Sequence, residues 1–176
     1  MTDRFPNVPA FERAAAGSGG SISYTRWSVD ARSVPADLAG FRTVFNSFHH
    51  FTPKDATAIL RDAVAARQPI GIFEIPERSV PVMLSVLLTP VFVTFATPFI
   101  RPFQWRRLLW TYLIPLVSLT CLWDGVVSMF RAYRLEELRA LAADVDDSFE
   151  WQVGQIRIPS TYGHVTYLIG YPPAPS

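Results

Sequence analysis

Two long apolar segments in the middle of the chain constrain its fold more than any other feature. Residues 79–100 carry no charged side chain over 22 positions, and residues 108–123 carry none over 16. As a single helix the first segment would extend about 33 Å, enough to cross the apolar core of a bilayer. Pro81, Pro90 and Pro98 would kink it. We therefore predict an apolar helical hairpin at residues 79–131, between two more polar regions at residues 1–78 and 132–176.

Three placements of this hairpin are open: it crosses a membrane, it lies partly inserted at the membrane surface, or it is buried in a soluble oligomer. The segment between the two apolar stretches mixes cations with aromatic rings, as interfacial anchors do. If both flanking regions are cytoplasmic, a crossing hairpin would place Arg101, Arg106 and Arg107 outside, against the positive-inside tendency. This conflict favours a hairpin in the cytoplasmic leaflet. Asp124 is costly to place in an apolar segment and is therefore a candidate catalytic residue.

The flanking regions carry alternating helix and strand patterns. We predict a helix at residues 8–16, strands at 21–29, 41–48 and 69–74, and a helix at 52–66 that begins with Thr52 and Pro53. The short connections predict that the second and third strands are parallel neighbours. A helix at 134–143 and antiparallel strands at 149–158 and 166–170 follow the hairpin. The pattern predicts an α/β fold with a partial Rossmann-like sheet, and we expect the hairpin on one side of it.

Composition and motifs exclude several functional classes. A net charge of +1 without a basic stripe gives no reason to expect a nucleic-acid partner. Three histidines and one cysteine do not supply zinc ligands at suitable spacing, so no metal site is predicted. Nucleotide-binding P-loop and G-x-S-x-G hydrolase motifs are absent from the sequence. The polar N-terminus lacks a signal-peptide pattern, so we expect a cytoplasmic, membrane-associated protein.

Several segments resemble, in their order along the chain, the C-terminal portion of a class I S-adenosylmethionine-dependent methyltransferase. Asp3 lies in a segment similar to the end of the family's second strand, and Val29-Asp30-Ala31 is similar to its next acidic position. The other similar segments are residues 43–51, 71–74, 123–128 with 133–138, and 167–171. The resemblance covers most of the chain outside residues 79–122.

The resemblance implies S-adenosylmethionine as the cofactor and methyl transfer to a small-molecule or lipid-like acceptor. It implies that Asp3 accepts from the ribose hydroxyls, that Asp30 lies beside the adenine amino group, and that residues 46–51 border cofactor and substrate. Asn46 and Ser47 are thus candidate cofactor-binding residues. His49 or His50 is the candidate base; on a strand, only one of two adjacent side chains would face the pocket. We expect Asp3 and Asp30 at consecutive strand ends that face one crevice, with a histidine across it.

The chain departs from the family at its beginning. The family's first strand and glycine-rich loop should precede Asp3. The glycine cluster at residues 17–20 precedes a predicted strand instead of following one, so it does not replace that loop. We therefore expect a truncated or mis-started reading frame. A non-enzymatic, membrane-associated remnant of the methyltransferase fold is the alternative function.

Overall fold

The four strands form one mixed sheet. The computed structural model of the protein describes residues 1–145, 148–159 and 163–173. In these residues the strands have the spatial order β1-β2-β4-β3. The strands are β1 (Arg42–Phe45), β2 (Ile70–Glu74), β3 (Glu150–Arg157) and β4 (His164–Tyr171).

The strands β1 and β2 are parallel neighbours, as predicted, with Val44 opposite Ile72. They are joined by α2 (Pro53–Ala65), which follows a shorter N-terminal helix, α1 (Val8–Gly17). The Thr52 hydroxyl oxygen accepts from the Asp55 amide at 3.3 Å and caps α2, and proline occupies its first turn. The predicted order of strand, capped helix and parallel strand is confirmed.

The C-terminal strand β4 inserts between β2 and β3 and is antiparallel to both. The two predicted C-terminal strands are therefore confirmed, although part of their connecting turn, residues 160–162, lies outside the described residues. The preceding helix, α7 (Leu135–Val145), packs beside α2. Apolar side chains from both helices, from β2 and β4 and from the turn after β1 form the core, which includes Phe48, Ile59, Leu60, Ile70, Ile72, Leu138 and Leu168.

The strand predicted at residues 21–29 is wrong. This segment runs beside the first residues of the chain, where the Thr25 amide donates to the Met1 carbonyl at 3.0 Å and the Val29 amide to the Asp3 carbonyl at 2.9 Å. It joins none of the strands of the sheet. The strand predicted at 41–48 is also shorter than expected. It ends at Phe45 because Asn46 adopts a left-handed φ of 46°, and a 3-10 turn, Phe48–His50, follows.

The apolar region is helical, as predicted, but broken. It consists of α3 (Val80–Leu87), α4 (Thr89–Ala96), α5 (Trp105–Leu108) and α6 (Leu116–Arg131), with a 3-10 turn at Thr97–Phe99 and a π-helical turn at Leu109–Leu113. Among described residues, no single helix has the length and apolarity to cross a membrane. Two pairs meet that test only when taken together across a bend: Val80–Leu87 with Thr89–Phe99, at 44°, and Trp105–Leu113 with Leu116–Arg131, at 74°.

The hairpin does not lie on a face of the sheet, which corrects the expected placement. Within residues 79–127 the buried side chains are Thr97, Thr111 and Ser118, and none belongs to the core of the α/β layer. The last two turns of α6 make the buried contact with that layer through Ser128 and Met129. The hairpin is therefore attached at the carboxyl ends of β1 and β2, and most of its apolar surface is exposed.

Candidate functional site

A buried carboxyl group organises the carboxyl ends of β1 and β2. Glu74 Oε1 accepts from the backbone amides of Ser47 and Phe48, both at 2.8 Å, and Oε2 contacts His49 Nδ1. In the opposite direction, Asn46 Oδ1 accepts from the Ile75 amide at 2.8 Å. The loop after β1 and the end of β2 thus hold each other in place. Asn46, predicted as a cofactor ligand, uses its side-chain oxygen in this structural contact.

His49 connects the sheet with the hairpin. It is 4% exposed, and its Nε2 lies 3.1 Å from the Ser128 hydroxyl oxygen on α6. When Nδ1–H donates to Glu74, Nε2 accepts from the Ser128 hydroxyl. Both ring nitrogens are therefore occupied, and His49 is poorly placed to take a proton from a substrate. Sequence reasoning missed Ser128, because no pattern connects a serine in an apolar segment with a histidine 79 residues earlier.

His50 is the exposed member of the histidine pair. Residues 48–50 form a 3-10 turn instead of a strand, so the two rings lie side by side with centroids 4.3 Å apart. His50 lines a cleft of about 720 Å³ together with Lys54, Arg78 and Tyr133. We call it the histidine cleft. It lies against the base of the hairpin, since Arg78 precedes α3 and the last residue of α6 also lines it.

Tyr133 fixes one wall of the histidine cleft. Its hydroxyl donates to the Phe51 carbonyl at 2.8 Å. Burial, together with the negative charges of Glu137 and Asp55, raises the pKa of Tyr133 above its usual value of 10.0. The tyrosine is therefore neutral in the physiological range and remains a hydrogen-bond donor.

A second cleft, of about 500 Å³, lies along β1 and contains three of the predicted cofactor residues. Asp3, Asp30 and Ser47 line it, with Arg42 and the rest of β1 as its floor. We call it the aspartate cleft. Asp3 is exposed, and its Oδ1 accepts from the Phe5 amide at 2.7 Å. Its other oxygen has no partner among the described residues, so it can accept hydrogen bonds from a ligand.

Asp30 is already engaged by a neighbouring cation. Arg32 donates from Nε to Oδ1 at 3.0 Å and from Nη2 to Oδ2 at 2.7 Å, in the two-pronged geometry that arginine forms with carboxylates. These side-chain hydrogen bonds, with one from the Arg32 amide, hold the pKa of Asp30 well below its usual range. Asp30 lines the aspartate cleft, but Arg32 would have to withdraw before its carboxylate could bind a ligand.

The predicted common crevice differs from the observed arrangement. Neither Asp3 nor Asp30 ends a strand of the sheet, and the two histidines line the histidine cleft instead of facing these carboxylates. The two clefts are neighbours, however, because Phe51 lines both. Asp124 is exposed on α6, lines neither cleft and makes no hydrogen bond to an indole.

Comparison with known proteins supports the fold and no more. No protein-family profile and no curated protein matches the sequence. A crystal structure from Rhodobacter sphaeroides, described as a Zn-dependent alcohol dehydrogenase, matches 97% of this chain and 74% of its own at a TM-score of 0.51 and 14% identity. Across residues 1–145, 148–159 and 163–173, no three His, Cys, Asp or Glu side chains come together as metal ligands. This chain thus has a mixed α/β, partial Rossmann-like fold.

Proposed function

We propose that the protein transfers a methyl group from S-adenosylmethionine to a small-molecule or lipid-like acceptor at the cytoplasmic surface of a membrane. The observation that carries the proposal is the aspartate cleft. The cleft runs along the parallel strand β1 and is lined by Asp3, which has a free carboxylate oxygen, and by Ser47, which follows the carboxyl end of that strand. Open α/β sheets bind their ligands at the carboxyl ends of their strands.

The order of the strands supports the same family. In this sheet the last strand of the chain inserts antiparallel beside the last parallel strand. The class I methyltransferase sheet ends in the same way, which agrees with the resemblance of residues 167–171 to the family's closing strand. Four segments that resemble the family, residues 2–7, 29–31, 43–51 and 71–74, also lie around the carboxyl ends of β1 and β2 or the adjoining cleft.

In this proposal, the residues of the aspartate cleft bind the cofactor and those of the histidine cleft bind the acceptor. Asp3 accepts hydrogen bonds from the ribose hydroxyls, and the backbone around Ser47 forms the wall of the cofactor cleft. When bound there, S-adenosylmethionine would supply the methyl group for transfer to a lone pair of the acceptor and would leave as S-adenosylhomocysteine. The acceptor occupies the histidine cleft, on the other side of Phe51. When the acceptor must lose a proton, His50 accepts it, because His50 is exposed to that cleft and both nitrogens of His49 are occupied.

The hairpin supports a membrane location and a lipid-like acceptor. Many of its large apolar side chains are not covered by other residues. Phe92, Phe95 and Phe99 are each more than 70% exposed. A surface of this kind marks a membrane or protein interaction site. Since the histidine cleft lies at the base of the hairpin, an acceptor in the membrane surface would reach it without leaving the interface.

A specific observation favours the alternative, a non-enzymatic remnant. Strand β1 is an edge strand of the described sheet. The backbone N–H and C=O groups of Thr43 and Phe45 point away from β2, toward the open edge. The family's first strand, followed by its glycine-rich loop, would lie at this edge and enclose the methionine end of the cofactor. If no strand pairs with this edge of β1, the protein would keep its fold, but it would not enclose the cofactor and methyl transfer would be lost.

Calorimetric titration of S-adenosylmethionine into the full chain distinguishes the two functions. The enzyme predicts saturable binding that Asp3→Ala weakens roughly tenfold, since a hydrogen bond to a charged group contributes about 1.5 kcal/mol or more. Asp37→Ala removes an exposed carboxylate outside the cleft and should leave the affinity unchanged. Absence of saturable binding would support the remnant, and equal binding by all three proteins would place the cofactor elsewhere.

A further inference from the structure

An apolar slot lies between the first and last helices of the hairpin, beside the histidine cleft, with which it shares Arg78. It has a volume of about 440 Å³, within the range of about 300–1,000 Å³ typical of small-molecule sites. One wall is the face of α3 that carries Val80, Met83 and Leu87. The other wall is the α6 face formed by Val126, Met129 and Phe130.

The two walls run in register away from one polar end. On α3 the lining residues recede from Arg78 at helical spacing, over a length of about 10 Å. On α6 the order is reversed, from Phe130 back to Val126, as expected for antiparallel helices. Arg78 and Arg134 stand together at the end of the slot where α3 begins and α6 ends. The slot is thus apolar along its length and cationic at one end.

The charges at this end are not fully balanced. Arg78 lies 3.4 Å from Glu137, and the same carboxylate accepts from the Arg134 backbone amide at 2.7 Å. The Arg134 guanidinium has no hydrogen-bond or ion-pair partner in the described part of the chain. Two arginines therefore face one carboxylate, and the remaining positive charge favours an anionic ligand. Arg131, in the adjacent histidine cleft, adds to this positive potential.

We propose that this slot binds one acyl chain of an anionic membrane phospholipid, with the phosphate at Arg78 and Arg134. Exposed apolar side chains surround the slot, including Val80, Leu84 and Phe130, so an acyl chain enters it from the bilayer without crossing a polar surface. Arginine suits the head group because its planar guanidinium matches phosphate geometry. The lipid site requires no cofactor, so it is independent of methyl transfer.

Native mass spectrometry tests the site. The full chain is reconstituted in nanodiscs that contain equal amounts of phosphatidylglycerol and phosphatidylcholine, then released into a mild neutral detergent. We expect one retained phosphatidylglycerol per chain. Met83→Trp should fill the slot and abolish retention, whereas Leu84→Trp, on the next position of α3 and outside the slot, should retain the lipid. Arg134→Gln should lower the retained fraction roughly fivefold, and Arg139→Gln, an exposed arginine of α7 outside the slot, should not.

Several outcomes would overturn the proposal. Equal retention of phosphatidylglycerol and phosphatidylcholine would show that Arg78 and Arg134 do not select an anionic head group. Retention by Met83→Trp as strong as in the unmodified chain would place the lipid elsewhere on the hairpin. A retained mass of a free fatty acid would reassign the ligand, and a dimer free of lipid would assign this face to a second copy of the chain.

Discussion

Glu74 determines the local backbone at two strand ends with a single carboxyl group. It is buried at the end of β2, and its two oxygens receive two backbone amides and one imidazole from the loop after β1. A buried polar group is stable only when such partners are present. The position of Ser47 in the aspartate cleft and of His50 in the histidine cleft therefore depends on this residue.

We expect Glu74→Gln to destabilise the protein by about 1–3 kcal/mol, because the side chain loses the negative charge that strengthens its three hydrogen bonds and gains a buried amide N–H group for which this site has no second acceptor. Urea unfolding, followed by near-ultraviolet circular dichroism in neutral detergent, measures the change. Glu136→Gln is the matched control, since Glu136 is exposed in the first turn of α7 and should have little effect. A loss below about 0.5 kcal/mol at Glu74, the size of effect that an ordinary surface substitution has, would contradict the role assigned to the carboxyl group.

The position of Glu74 could be predicted from the sequence, but its contacts could not. A short apolar run that ends in glutamate indicates a buried strand with an acid at its carboxyl end. Its contacts do not follow from any local pattern, because its partners come from a turn 25 to 27 residues earlier. The predicted placement of the two histidines was wrong for a related reason. The residues before them were predicted to be a strand, but Asn46 ends β1 early, so both imidazole rings lie on one turn.

At the scale of elements, the N-terminal segment is joined to α2 by one arginine. Arg32 binds Asp30 on its own segment and Asp55 in the first turn of α2, the latter at 2.7 Å from Nη1. Hydrogen bonds from Arg32 lower the pKa of both carboxyl groups below their usual value of 3.8. Each lowered pKa means that the folded state favours the charged carboxylate. The stabilisation is therefore present above pH 3.8 and is lost as the pH falls below that value.

We expect Arg32→Gln to lower the Tm at neutral pH. The difference in Tm between variant and unmodified chain should shrink as the pH falls below about 3.8, because the unfolded chain then takes up protons on these aspartates, which opposes a folded state that keeps them charged beside Arg32. Thermal unfolding followed by circular dichroism from about pH 2.5 to about pH 7, a range that brackets the usual carboxyl pKa, measures this difference. Arg13→Gln, on the exposed side of α1, should show no such dependence on pH. A difference that is constant across the range would mean that the ion pairs do not join the segment to α2.

The elements best predicted from the sequence are those that local signals determine. Thr52 and Pro53 begin α2, and the apolar side chains of α2 recur at helical spacing, so its bounds and buried face were predictable. The segment at residues 21–29 has the alternation of a strand, but its partner is the beginning of the chain and not the sheet. The hairpin was predicted from its apolar length. Its attachment through Ser128 was not, since it depends on one polar contact over a long separation.

At the scale of the whole molecule, two clefts share one side chain. Phe51 lines both the aspartate cleft along β1 and the histidine cleft at the base of the hairpin. The hairpin, attached by the last turns of α6, extends its apolar surface from the same edge of the sheet. A cofactor in one cleft and an acceptor in the other would meet at Phe51, close to the surface that we assign to the membrane.

The central claim is that the aspartate cleft holds S-adenosylmethionine, and locating the bound cofactor tests it most directly. Ultraviolet cross-linking of radiolabelled S-adenosylmethionine to the full chain, followed by peptide mapping, gives that location. We predict label on peptides that contain residues 2–4, 29–31, 42–45 or 47, which line the cleft, and loss of this label when S-adenosylhomocysteine competes. Label confined to the region around Arg139 and residues 151–153, which line a different cleft, or label that S-adenosylhomocysteine does not displace, would contradict the claim.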